Sequence, residues 1–164
     1  MHPLIEKLIK TGPVVTDGSW GTQLQNRGLK RGECPDSWNL SHPERVEEVA
    51  GQYVEAGSQI ILTNTFGGNR LSLGRFNMGA EAVAINTAGV EISKKAAGNR
   101  AAVFASIGPT GKMLLTKETT EEELQNAFEE QADAQARAGA DGIIVETMID
   151  ITEAGIAARA AKRT

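Results

Sequence analysis

Four short apolar runs punctuate the chain, at residues 13–16, 59–63, 101–106 and 142–145, with their starts about 41 to 46 residues apart. They are rich in β-branched residues and almost continuously apolar, the pattern of strands buried on both faces of a parallel sheet. Helical periodicity fills the intervals. Ser41-His42-Pro43-Glu44 reads as a capping box with proline in the first turn, predicting a helix to about Ala56. Thr120 to Glu123 is a second such box, predicting a helix to about Ala138 that stops at Gly139. Further helices are predicted over residues 80–97, closed by Gly98, from about Ile151 onward, and over residues 3–10 at the start. The stretches "EAGSQIILTNTF" (55–66) and "RAGADGIIVETM" (137–148) echo one another: helix end, Ala-Gly, strand, then a polar residue, threonine and an apolar residue. The unit is therefore βα, repeated four times without a linker, which requires right-handed parallel crossovers. A doubly wound sheet, a small complete barrel and the first half of an eight-fold barrel all satisfy this order. Four units of roughly 40 residues supply about half of what a closed (βα)8 barrel needs.

Composition narrows the function classes. The 164 residues suffice for one domain with a real core. With 17 basic and 21 acidic residues the net charge is -4, which gives no electrostatic footprint for nucleic acid or an anionic membrane. No apolar run approaches the roughly 20 residues that span a bilayer. The amino terminus carries Glu6, Lys7 and Lys10 in a short amphipathic pattern, unlike a signal peptide. Cys34 is the only cysteine, so no internal disulfide exists, which fits a reducing cytoplasm.

Ligands of parallel α/β folds bind outside the carboxyl ends of the strands. Behind the first run stand Asp17, Gly18, Gly21 and Thr22; behind the second, Asn64, Thr65, Phe66, Gly67 and Asn69. Gly108, Pro109, Thr110 and Gly111 follow the third, Glu146 and Thr147 the fourth. This set contains no Lys, Arg or His. "GPTGK" (108–112) is too short for a phosphate-binding loop, and "GSWG" lacks the spacing of a dinucleotide fingerprint. A serine nucleophile would need a histidine base, and His2 and His42 lie away from the strand ends. Asp17 and Glu146 suit either an acid–base pair for glycoside hydrolysis or an amino-acid site. In the second case the carboxylates meet an ammonium and backbone N–H groups meet the α-carboxylate. With Trp20 the sole aromatic platform for a sugar, the amino acid is preferred. Asp17 could also cap its own turn. Cys34 with Asp36 and His42 falls short of a tetrahedral metal set. Trp38 and Leu40 are expected to pack a loop over the strand ends.

"TDGSWGTQL", "NLSHPERVEEVAGQYVEAGSQIILTNTF", "SIGPTG" and "GADGIIVETM", in this order and across nearly the whole chain, resemble the homocysteine S-methyltransferase family, the zinc-dependent barrel of cobalamin-dependent methionine synthase and betaine–homocysteine methyltransferase. The resemblance implies an α/β fold, a parallel (βα)4 half of a TIM-type (βα)8 barrel, with residues 1–164 as its amino-terminal half. It also implies methyl transfer to the homocysteine sulfur in the full-length parent, giving methionine, in the cytoplasm. Carried over, Asp17 and Glu146 hold the homocysteine amino group, while Gly18 and Thr63, Asn64, Thr65 and Phe66 surround the amino-acid end. The family's zinc is held by three cysteines, one after the sixth strand and a later adjacent pair. Nothing here corresponds to them, and Cys34 matches none. Zinc is thus expected in the full-length family member but not on ligands from this chain, which carries no assigned catalytic or metal residue and is expected to be inactive alone. Cobalamin or folate would act through other domains, and the methyl donor is unreadable. The chain then reads as a fragment, a truncated gene product or an engineered half-barrel that self-associates through its exposed edges. The alternative is a non-catalytic half-barrel that binds an amino acid or assembles with a partner chain.

Overall fold

The computed structural model describes residues 1–10 and 12–164. After α1 (Pro3–Ile9), the alternation runs α2 (Trp20–Asn26), α3 (Trp38–Ser41), α4 (Pro43–Glu55), β1 (Ile60–Leu62), α5 (Arg70–Gly74), α6 (Ala82–Ala97), β2 (Ala102–Ile107), α7 (Glu121–Arg137), β3 (Gly142–Val145) and α8 (Ile151–Arg163). A 3-10 turn at Gly79–Glu81 leads into α6.

The second capping box forms as expected. Thr120 Oγ1 accepts the Glu123 amide at 3.1 Å, and Glu123 Oε2 accepts the Thr120 amide at 2.9 Å. At the far end Gly139, at φ 92°, turns the chain out of α7 as only glycine does without strain. Asp150 caps α8 through the amides of Thr152 and Glu153. The box at Ser41 does not form. Ser41 is the last residue of α3, and its hydroxyl donates to Ser37 O at 3.2 Å instead of capping α4. His42 occupies the cap position with no side-chain hydrogen bond to the helix, its ring stacked on Trp38 at 4.5 Å.

The strands pair in parallel in the order β1-β2-β3, with Ile61 opposite Val103 and Ser106 opposite Ile144. The expectation of four strands needs correction. The run at 13–16 makes a single parallel bridge, Thr16 to Ile60, supported by Gln59 N to Val15 O at 2.8 Å and Asp17 N to Ile60 O at 3.1 Å. Pro13 has no donor for a ladder, and Val15 is 57% exposed, so little packing favours a longer strand. The run still lies beside β1. Asp17, Asn64, Gly108 and Glu146 therefore follow four parallel segments at one carboxyl edge.

Helices bury the sheet. Ile107 joins Leu124, Phe128 and Ala132 of α7 and Ile156, Ala157 and Ala160 of α8 in one cluster. Ile61 and Val103 join Ala50, Val54 and Ala97 in another, and Leu24, Trp38, Val46 and Val49 form a third. Burial of an aliphatic side chain stabilises by about 1.5–3 kcal/mol, so these clusters dominate the favourable energy.

Between strand ends and helices lies a buried polar layer. Gln135 Nε2 donates to Thr65 Oγ1 (3.1 Å), Asn86 Oδ1 (2.9 Å) and Ser106 O (3.1 Å), and Gln131 Nε2 donates to Thr65 O at 2.8 Å. Asn86 Nδ2 holds Gly68 O and Ala82 O, both at 2.8 Å. These bonds fix the backbone from which the site is built.

Candidate functional site

Asp17 leaves the bridge beside β1 and points back. Its Oδ2 accepts both the Trp20 indole N–H and the Leu62 amide, each at 2.7 Å. Burial pushes its carboxyl above the usual carboxylate range; the two hydrogen bonds oppose this, and the charge of Glu146 adds to it. Glu146 follows β3. Its Oε1 accepts the Ser106 hydroxyl at 2.6 Å, while Oε2 meets only Thr147 Oγ1 at 3.5 Å. One oxygen is thus held from β2 and the other is open to a ligand.

The turn after β1 is tied down on both sides. Asn64 Nδ2 donates to Pro35 O (2.8 Å) and Asn39 Oδ1 (3.0 Å), and Asn39 Nδ2 returns a bond to Asn64 O at 2.8 Å. Thr63 and Thr65 share a hydroxyl contact of 2.6 Å, Thr63 Oγ1 accepts the Ser106 amide at 3.1 Å, and Thr65 Oγ1 donates to Ser106 O at 2.8 Å.

A cavity of about 300 Å³ opens at this edge, lined among others by Gly18, Thr63, Asn64, Phe66 and Glu146. Five of the seven residues expected at the site thus share one cavity. Asp17 and Thr65 are not on its lining. Asp17 is turned toward Trp20 and the β1 backbone, and Thr65 is fully buried in the polar layer. Both support the lining from behind.

The cavity also has walls that the sequence reading missed: Ser106, Pro35 and Asp36. Asp36 is buried, its Oδ1 accepts the Gly67 amide at 2.9 Å, and burial pushes its carboxyl up to about 6 against that bond and the Arg75 charge. The expected cover does not form: Trp38 is buried in the cluster with Leu24, Val46 and Val49, its ring 5.3 Å from Arg45 and off the cavity lining, and Leu40 is 45% exposed.

Cys34 lies next to this wall, its Sγ 4.0 Å from Asp36 Oδ2; burial, then the Asp36 charge, push its thiol up, so a thiolate is disfavoured. Among the described residues no three His, Cys, Asp or Glu side chains converge as metal ligands, and no helix is long and apolar enough to cross a membrane.

A family model described as "Homocysteine S-methyltransferase" matches residues 14–164. Methionine synthase of Mycobacterium leprae is 29% identical over 92% of this chain, and that of Mycobacterium tuberculosis 30% identical over 92%. The chain spans only 13% and 14% of the length of these relatives. The homocysteine methyltransferase MmuM from Escherichia coli shares the fold at 22% identity, with a TM-score of 0.83 in its metallated form and 0.80 in its oxidized form. These overlays cover 97% and 96% of this chain and 62% and 61% of MmuM.

Proposed function

The chain belongs to the homocysteine S-methyltransferase family, and on that premise we propose that its cavity is the amino-acid end of a homocysteine site. The observation that carries this reading is Glu146: a carboxylate on the cavity wall with one oxygen fixed by Ser106 and the other without a close partner. Such an oxygen suits an ammonium, and the acceptor-only character of an ionised carboxylate excludes a ligand carboxylate at the same place. The Gly18 to Gly21 turn, also on the lining, would offer backbone to the α-carboxylate. Asp17 contributes negative charge behind that turn without facing the cavity.

Residues 1–164 then act as the amino-terminal (βα)4 half of a TIM-type barrel whose whole transfers a methyl group to homocysteine sulfur. The residues present do not fit the family's zinc. A thiolate set is needed, and Cys34 is a single buried thiol whose charged form is disfavoured. No step is therefore assigned to the metal, and this chain's share is to bind and orient the amino acid.

Titration of L-homocysteine into the labelled chain, followed by NMR, tests the site. Resonances of Gly18, Phe66 and Ser106 are expected to shift at millimolar ligand, and 4-mercaptobutyrate, which lacks the amine, is expected to leave them in place. Equal responses to both compounds would defeat the ammonium assignment.

A further inference from the structure

The peptide unit joining Phe66 to Gly67 is held at both ends. Its carbonyl accepts the Gly108 amide at 2.9 Å, and its N–H donates to Asp36 Oδ1 at 2.9 Å. The Phe66 ring lies directly on Gly108: a Cβ at that glycine would come within 2.5 to 2.7 Å of three ring carbons. A Cβ at Gly67 would sit 3.0 Å from Asp36 Oδ2 and 3.4 Å from Ser72 Oγ, which in turn accepts from Arg75 Nη2 at 2.7 Å. Asp36 and Gly108 thus grip one peptide from opposite sides, and the ring between them is a wall of the cavity, still 42% exposed with no ligand present.

We propose that Asp36 is a positioning residue: it clamps the Phe66–Gly67 peptide so that the Phe66 ring stands as a fixed apolar wall for the methylene chain of an unbranched amino acid bound through its ammonium at Glu146. The ligand part of this inference rests on the homocysteine reading above; the clamp itself does not. A carboxylate at this place has the Gly67 amide, its own backbone and one distant thiol for partners, with the Arg75 charge beyond them, and burial outweighs all of these, so the buried charge is costly. Its compensation is strength at Gly67, since a hydrogen bond to an ionised acceptor is about twice as strong as a neutral one. An asparagine would hold the same amide with less force.

The groups acting on Asp36 are Cys34 on its own segment and Arg75 beyond the end of α5; Glu146 shares the cavity lining, and its charge acts on Asp17. With the carboxyl pushed up to about 6, the strong form of the clamp exists above that pH and gives way to a neutral, weaker one below it.

The test uses this chain, wild type with Asp36→Asn and Asp36→Ala, by NMR from pH 5 to 7.5, without ligand and with L-homocysteine. Without ligand, the Gly67 amide of the wild type is expected to titrate near pH 6 and move upfield as acid weakens the bond, with the Phe66 ring resonances following. In Asp36→Asn both are expected to stay at their acid-limb positions throughout. In Asp36→Ala the Phe66 ring signals should average. With ligand, wild-type affinity is expected to fall by about threefold from pH 7.5 to 5, and Asp36→Asn to match the acid value at every pH. Asp36→Ala should be weaker still, with Asp36→Asn recovering part of the loss. Only the difference between profiles counts, because Asp17, whose carboxyl burial also pushes up, is common to all three chains. A Gly67 amide indifferent to pH and to Asp36→Asn would overturn the clamp. A titrating Gly67 amide with identical wild-type and Asp36→Asn affinity profiles would overturn its role toward the ligand. Failure of the wild type to bind homocysteine at all overturns the site reading and with it the ligand part of the inference, while the Gly67 amide still decides the clamp.

Discussion

Replacing Asp17 separates its two possible duties. One oxygen accepts two donors at 2.7 Å, the Leu62 amide in the sheet edge and the Trp20 indole, while burial disfavours the ionised form. Asp17→Ala strands both donors. A buried unpaired N–H costs about 1–3 kcal/mol, and Trp20 is half-buried and able to reach water, so a total loss of about 2–4 kcal/mol is expected. Asp17→Asn presents a carbonyl oxygen in the same place, keeps both bonds, and removes a charge the site tolerates poorly, so its stability should lie within about 1 kcal/mol of wild type at pH 7. The pH dependence has a definite sign. A folded carboxyl pKa above the ordinary value means that the neutral form's contribution is fully present below that ordinary value and is lost as pH rises through the folded pKa. Asp17→Asn should therefore gain on wild type as pH increases. Urea unfolding followed by Trp20 and Trp38 fluorescence reads the stability, and a homocysteine titration reads the function. If Asp17 also supplies field to the ammonium, Asp17→Asn weakens homocysteine binding while remaining folded. Equal destabilisation by both substitutions, or an Asp17→Asn chain with wild-type affinity at wild-type stability, would refute the division of roles.

Glu146→Gln is expected to weaken homocysteine binding by about 1.5–3 kcal/mol, the scale of a charged hydrogen bond, in the same titration. Asp36→Asn should stabilise the chain above neutral pH: its folded carboxyl, at about 6 against an ordinary 3.8, favours the neutral form, so about 3 kcal/mol present at low pH is lost as pH rises through about 6. Urea midpoints at pH 4.5 and 8 check this, and a stability loss at pH 8 would contradict it. The open edges, one at residues 13–17 and one at β3 where Ile144 is 37% exposed, should drive self-association visible by light scattering, with less than one zinc per chain by metal analysis. A well-behaved monomer would count against the edge argument.

The parallel order was readable because each of the later runs is apolar, short and preceded by a glycine stop, a local pattern that tertiary packing reinforces. The run at 13–16 has the same apolar character, yet pairing depends on cover from other elements, which its composition does not report. Ser41 fits a capping motif, but α3 ends on it and takes its hydroxyl, a competition between adjacent helices that no four-residue pattern encodes. α2 and α5 lie in the loops after the strand ends and are capped by Ser19 and Asn69, too short to leave a period in the sequence. At the site, Glu146 was legible from its place at a strand end. Asp36 was not, because its burial comes from a loop folding across the edge.

The helix amides explain why so polar a layer persists inside the fold. Asn86, Gln131 and Gln135 occupy helix positions that an aliphatic residue could fill, and Gln131 Oε1 and Gln135 Oε1 have no partner, a cost a purely stabilising core would not carry. Apart from one bond from Asn86 to Ala82 O within α6, their donors aim at the strand ends: Thr65, Ser106 and, through Asn86, the carbonyl of Gly68. Ser106 passes the constraint to Glu146, and the Thr65–Gly68 turn passes it to Phe66, so the two walls of the cavity are set from the same pair of helices. Satisfied polar contacts of this kind have directions that aliphatic packing lacks, and a misaligned partner there leaves a buried group unpaired. The layer leaves the Glu146 carboxylate and the Phe66 wall in fixed relation before any ligand arrives, so that, on the proposed reading, an amino acid would bind without the entropy of ordering the protein around it.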